Sequence, residues 1–369
     1  MVEWKKLGEA CTIIRGNRVT KGELVDNGKF PVISGGVTPM GFIDSYNREP
    51  NTITVSQYGT AGYVDFQHSR FWANDICYCV YPEQNMDNKY LWYVLKSKQN
   101  LLYAIRNTDA IPYSLPLDTL KSVSIPIPSL SEQKRIVGFL DTFTASIDNL
   151  KEQIAQRRKQ YEYFRDQLLD LEGKEGVEMK NLLDVLAQPI TDGPHETPSF
   201  YDDGIPFISA DAIVDNKINF SRKRGYISEE YDLLCQKKYK PQLNDIYLVK
   251  SGSTTGKVAI VRTDERFNIW SPLAAIRVNQ RNHPYFVYYM LQTKNVQDQV
   301  KLKSSQGSQP NLSMRVLEKF IIPVPSLSEQ QRIVSILDTF EASIQNLEAQ
   351  LSQREKQYEY YRNKLLTFE

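Results

Sequence analysis

Apolar residues in two stretches of the chain recur at alternating steps of four and three. The first stretch runs Ile136, Leu140, Phe143, Ile147, Leu150, Ile154, Arg157, Tyr161, Phe164, Leu168 and Leu171. The second runs Ile333, Leu337, Phe340, Ile344, Leu347, Leu351, Arg354, Tyr358, Tyr361, Leu365 and Phe368. This is the seam of a coiled coil, in which each apolar knob fills a hole on a facing helix. A polar residue breaks each seam at the same place, Arg157 and Arg354. Each predicted helix has about 40 residues and spans roughly 60 Å. Ser129-Leu130-Ser131-Glu132 predicts a capping box at its start, the serine accepting a free backbone N–H and the glutamate reaching back. Ser326 to Glu329 repeats that signal. Pro126 and Pro128 keep the preceding segment extended, and Gly173 and Gly176 stop the first helix.

The two stretches are copies. From Ile125 to Glu172 and from Ile322 to Glu369, about 32 of 48 positions are identical, which marks an internal repeat. Between them the pattern changes to short alternating runs and glycine turns. Pro31–Ser34, Thr52–Ser56, Ile205–Ile208 and Asp245–Val249 predict strands. A helix near Tyr90–Leu102 has a counterpart near Pro284–Val300. The fold predicted is α+β. Two globular α/β heads, residues 1–124 and 177–321, alternate with two helical arms, 125–176 and 322–369. Tethering in one chain raises the effective concentration of each arm for the other, so pairing within the chain is expected, with a swapped dimer as the alternative. If each arm leaves its head in the same way, the pairing is antiparallel and relates the heads by a pseudo-two-fold axis. Phe143, Ile147, Leu150 and Ile154 of one arm, with Phe340, Ile344, Leu347 and Leu351 of the other, form the expected seam. Tyr163 and Tyr360 fall at matching positions off it. Repeated exposed aromatics point to a docking surface for another protein, with simple surface filling as the alternative.

Charge narrows the functional classes. Lys and Arg total 45 against 44 Asp and Glu, a net charge of +1. Affinity for a nucleic-acid backbone scales with the phosphates neutralised, so a partner is expected to supply much of the electrostatics of any DNA complex. No apolar run approaches the length of a membrane span, and Met1-Val2-Glu3-Trp4-Lys5-Lys6 lacks a secretion signal; a cytoplasmic location is expected. Cys11, Cys77, Cys79 and Cys235 form no Cys-x-x-Cys pair and lie far from His68, His195 and His283, so neither a zinc site nor a disulfide framework is expected.

The polar loops carry the candidate chemistry. Arg15, Asn17 and Arg18 lie in Arg15-Gly16-Asn17-Arg18-Val19-Thr20-Lys21. Gln57 and Tyr58 follow the Thr52–Ser56 strand. Lys250, Ser251, Ser253, Thr254 and Lys257 take the matching place in the second head, and Gln306, Gln309 and Asn311 lie near its end. Arginine forks to guanine, asparagine and glutamine to adenine. Lysine, serine and threonine suit phosphates, and glycine allows close backbone approach. Solvated turns are the plain alternative for each loop taken alone. Lys250–Lys257 is not a P-loop, because Gly252 and Gly256 enclose three residues and Val258 stands where Mg²⁺ needs a hydroxyl. No GxGxxG follows a strand, and neither an aminomethyltransferase Asn/Asp-Pro-Pro-aromatic loop nor a nuclease core is found. His195 has Asp192 and Glu196 nearby, as a general base would, yet no nucleophile accompanies it. A loop histidine contacting a phosphate or capping the turn is the preferred reading.

The layout resembles the specificity (S) subunit of type I restriction–modification enzymes, the HsdS family, over essentially the whole length. The proline-led arm starts Ile125–Gln133 and Ile322–Gln330 are similar to that family's helical regions. Ile33–Phe42 and Phe71–Asp75 resemble one class of target-recognition domain, and Thr191–Pro198 another. The resemblance implies a subunit without catalytic activity whose heads each read one half of a bipartite, asymmetric double-stranded DNA target, with the arms as a ruler for the unread gap. It implies two methyltransferase (M) subunits along the arms, carrying S-adenosylmethionine and adenine N6-methylation, and restriction (R) subunits adding ATP- and Mg-dependent translocation and cleavage. A coiled-coil scaffold with peptide-binding heads, and an enzyme built on His195, are the competing readings.

Overall fold

The computed structural model describes residues 2–109, 111–305 and 309–368. It forms two compact units, Met1–Glu152 with Glu348–Glu369, and Gln153–Leu347.

In the first unit the head opens with the strand Glu3–Lys6, which pairs antiparallel with Ser124–Ile127, Glu3 opposite Ile127. The head's beginning is thereby tied to the residues that lead into the arm. Behind this pair lies a four-stranded antiparallel sheet in the order Cys11–Arg15, Cys77–Pro82, Thr52–Ser56, Val64–Gln67. A three-stranded sheet joins Phe42–Ile43, Phe30–Ile33 and Trp72–Ala73, the last pair parallel. The Thr52–Ser56 strand is buried along its whole length, as a central strand with both faces covered must be. The helix Asn88–Ser97 starts where the Asp87 side chain accepts the Tyr90 N–H at 2.9 Å. Its buried Tyr90, Leu91, Val94 and Leu95 follow helical spacing and face the core. That core also takes in Ile136 and Leu140 of the first arm and Leu366 of the second.

In the second unit the strand Glu178–Asn181 pairs with Ile321–Val324. The four-stranded sheet runs Thr191–Asp192, Leu273–Ile276, Ile246–Val249, Val258–Ile260. The three-stranded sheet runs Gly225–Ile227, Ile205–Ile208, Asn268–Ile269, again with one parallel pair. Strand for strand, this is the order and sense of the first head. The second head adds two short strands, Ile213–Val214 and Lys217–Ile218, and the helix Glu229–Gln236. Its helix Pro284–Leu291 packs in a core with Ile333, Leu337 and Ile344 of the second arm and Tyr161, Leu169 and Leu171 of the first.

The arms are unbroken helices, Leu130–Leu169 and Leu327–Leu366. Within the first unit Tyr361 packs on Phe139 and Phe143, and Lys151 pairs with Glu355. Within the second, Phe164 stacks on Phe340 with ring centroids 5.4 Å apart. In the first unit numbers rise along one helix as they fall along the other, so the segments run antiparallel there. Ile147, Ile154 and Ile344 are buried on the seam; Phe143, Leu150, Phe340, Leu347 and Leu351 are half-buried, as two helices alone leave them. Two details differ from the sequence reading. The serine half of each capping box forms, Ser129 Oγ accepting from Glu132 N at 3.3 Å and Ser326 Oγ from Glu329 N at 3.3 Å. The glutamates, however, turn to Arg135 and Arg332 in bidentate pairs at 2.7–2.8 Å, because a guanidinium one turn on is the stronger partner. At the far ends the buried row shifts from Leu168 and Leu365 to Leu169 and Leu366. A strict seven-residue repeat drifts against 3.6 residues per turn, and there the arm meets a head as well as a helix.

Candidate nucleic-acid interface

In the first head three separated segments meet at the ends of the sheet strands. The chain leaves Cys11–Arg15 through Gly16, where a Cβ would stand 2.0 Å from the Ala73 carbonyl oxygen; only glycine passes. Asn17 N then donates to Ala73 O at 2.9 Å, and Trp72 Nε1 donates to Asn17 O at 2.8 Å. Buried Asn74 accepts from Val19 N and donates to Val19 O and Ser34 Oγ. The loop backbone is thus fixed while the side chains of Arg15, Asn17 and Arg18 stay exposed. Thr60 N donates to Gly35 O, drawing the Gln57–Gly62 turn onto the same end. Gln57 is itself buried, and its carbonyl accepts from Leu115 N at 2.8 Å; Tyr58 is exposed.

The second head repeats this geometry with other residues. A Cβ on Gly193 would lie 1.9 Å from Ile269 O. Lys250 O accepts from Leu312 N at 2.7 Å, the counterpart of the Gln57–Leu115 bond, and Ser251 bridges to Asn311 as Tyr58 does to Ser114. The structure therefore brings His195, the Lys250–Lys257 turn and Asn311 to one end of the head. Ser253, Lys257 and Asn311 are exposed there, Ser251 and Thr254 half-buried. Gln309, also exposed, precedes Asn311; Gln306 lies outside the described residues.

The chemistry of the two tips differs. Where the first head has exposed Arg15, the second has Asp192, 1% exposed. Its Oδ1 accepts from Lys238 Nζ. His195 Nε2 and Lys250 Nζ stand 3.2 and 3.3 Å from Oδ2, within ion-pair range though not aligned as hydrogen bonds. One buried carboxylate so gathers two lysines and a histidine, leaving net positive charge at a surface where the Lys238 and His195 side chains reach solvent. Such a cluster suits a phosphate. Sequence reading missed Lys238, which lies 46 residues from Asp192 and carries no local signal. It also passed over Trp72 and Asn74 as loop clamps, although both lie in the Phe71–Asp75 segment that carried the family resemblance.

On the arms, Tyr163 and Tyr360 are 62% and 60% exposed. Each meets its neighbour's ring edge-on, Phe164 at 5.4 Å and Tyr361 at 5.2 Å, with the same interplanar angle of 76°. The four cysteines are buried. Among the described residues no group of acidic, histidine or cysteine side chains is arranged to hold a metal ion, and no helix is long and apolar enough to cross a membrane.

The two heads thus share one fold and differ at their tips, and they alternate with duplicated arms. The family model of the type I restriction modification DNA specificity domain matches residues 1–157 and 174–355, and the chain belongs to that family. It is 30% identical to the EcoR124I/EcoR124II specificity subunit of Escherichia coli, over all of this chain and 94% of that one. Its fold is that of the type I restriction-modification S subunit from M. genitalium, with a TM-score of 0.64 at 19% identity, over 100% and 97% of the two chains. A chain from a type I R-M system, solved for its complex assembly and conformational transition, matches with a TM-score of 0.57 at 18% identity over 99% and 97%. The protein is a DNA sequence-specificity subunit of a type I restriction–modification system.

Proposed function

We propose that the heads, residues 1–124 and 177–321, each read one half of a bipartite, asymmetric DNA target, and that the arms, 125–176 and 322–369, hold the halves at a fixed gap. The observation that carries this reading is the pair of tips: the same strand order presents Arg15, Asn17 and Arg18 in one head and the Asp192–Lys238–Lys250–His195 cluster in the other. A symmetric target would need like tips. Tyr58, Lys257 and the Ser251–Asn311 edge complete the reading surfaces, with Gln57 behind them.

The chain itself is non-catalytic in this reading and works in the cytoplasm. Two M subunits dock on the repeated Tyr163 and Tyr360 surfaces, since equal surfaces bind equal partners, and they hold S-adenosylmethionine for adenine methylation. R subunits join that assembly with ATP and Mg for cleavage. Support comes from the E. coli relative, named a specificity subunit, and from the solved type I R-M system concerned with complex assembly.

The test is a methylome. The chain is expressed with its M subunit in a methylation-free host and modified adenines are mapped. A split motif with a fixed unread gap is expected. One short continuous motif overturns the two-reader assignment, and a stable complex that modifies nothing favours a scaffold.

A further inference from the structure

Each head sits on its arm through an apolar interface, and burial of apolar surface has no preferred direction. Of the polar contacts that cross that interface, two recur in both units, whereas the Lys89–Asp141 pair and the Arg262–Glu341 pair each belong to one. In the first, the fully buried Gln133 side chain accepts the Asp87 N–H at 2.7 Å, just before the head helix Asn88–Ser97. The same amide donates to Asn85 O in the head at 3.1 Å and to Pro128 O at the arm's start at 2.8 Å. In the second, Gln330 accepts the His283 N–H at 2.8 Å and donates to Asn282 Oδ1 and Pro325 O, each at 3.0 Å. Two turns further along, Tyr93 donates to Asp141 Oδ1 at 2.6 Å and Tyr289 to Asp338 Oδ1 at 2.6 Å. Burial first, then the carboxylate, raises the Tyr93 phenol above its usual range, so it remains a donor. The spacing is conserved between copies: tyrosine six residues past the N–H donor, aspartate eight past the glutamine.

We infer that these glutamine and tyrosine–aspartate latches are positioning residues that fix how each head is turned on its arm, and through that the gap and helical phase at which the second half-site is accepted. Two directional bonds along the contact forbid rotation that an apolar surface alone tolerates, and a buried polar network specifies one arrangement because every other leaves its members unpaired. The surrounding apolar residues differ between heads, Tyr90 and Leu91 against Phe286 and Val287, yet both latches are kept. This rests on the two-reader proposal above.

The experiment uses the full chain in complex with its M subunits, on duplexes carrying the mapped half-sites at the native gap and at one base pair more or less. Variants are Gln133→Leu and Gln330→Leu, with Tyr93→Phe and Tyr289→Phe as forms that lose only a hydroxyl. The expected result is that preference for the native gap falls by about tenfold, since sites need alignment within 10–20°, while base preference within each half is unchanged. A rate loss equal on all three gaps, or melting that drops with gap preference intact, overturns the inference. If the wild-type complex shows no split motif, the two-reader proposal fails before any variant is compared.

Discussion

At the scale of single residues, two kinds of position separate cleanly. Lys238 is held by a buried carboxylate while its side chain is 49% exposed. Lys238→Ala is expected to weaken DNA binding about equally for all sequences and to reduce the salt slope by about one, the signature of one lost phosphate contact. Titration of binding against salt at several target sequences checks this; an effect confined to one base pair would make Lys238 a base reader. Gly193 belongs to the other kind. Its added methyl would meet a backbone carbonyl at 1.9 Å, and no flexible side chain is there to yield. Gly193→Ala is expected to cost at least the ~1–3 kcal/mol typical of overpacking. Denaturant unfolding measures it, and a loss below about 0.5 kcal/mol, the range of neutral surface changes, would mean that the loop is freer than its contacts imply.

Among elements, the start of the head helix Pro284–Leu291 carries a pH dependence. His283 stands at its N-cap position without a side-chain capping bond, donates its backbone N–H to Gln330, and has a buried Nδ1 with no hydrogen-bond partner. Burial lowers its pKa from 6.5, more than the Asp338 charge raises it. The folded state therefore favours neutral imidazole; its contribution is complete above the unfolded pKa and is lost as pH falls through the lower folded value. Melting is expected at lower temperature at pH 5.5 than at 7.5, and His283→Gln is expected to narrow that difference; an equal difference would assign it to other groups. The arms and most strands around them were legible in the sequence, because period and repetition are written locally: Thr52–Ser56 and Ile205–Ile208 form as the alternation reads. The common topology of the heads was not, since pairing needs only a side chain that can be buried: Val55 and Leu248, Ser56 and Val249 hold matching places with different letters. Gln57 read as a base-reading side chain and is packed inside. Gln133 and Gln330 were visible only as one repeated letter among many, because their partners lie 46 to 48 residues away.

On the scale of the whole molecule, a helical ruler makes a quantitative claim. Seven residues added to each arm at facing positions preserve the seam, because a heptad returns every knob to the same face. They lengthen a helix by roughly 10 Å, about three base pairs of DNA at 3.4 Å each. Three base pairs also turn the second half-site by about 100° around a duplex of roughly 10.5 pairs per turn. Distance and phase therefore compete after one heptad. Three heptads add about 31 Å, about nine base pairs, which leaves the half-site about 50° short of a full duplex turn, half the mismatch of one heptad. The one-heptad variant is expected to methylate weakly at a longer gap. The three-heptad variant is expected to methylate better than the one-heptad variant, at a gap longer by about nine base pairs, both half-sites unchanged. Methylome mapping reads gap and efficiency together. A native gap kept in both variants would show that the arms do not measure DNA, and equal efficiency in both would show that the heads turn freely, against the latches at Gln133 and Gln330.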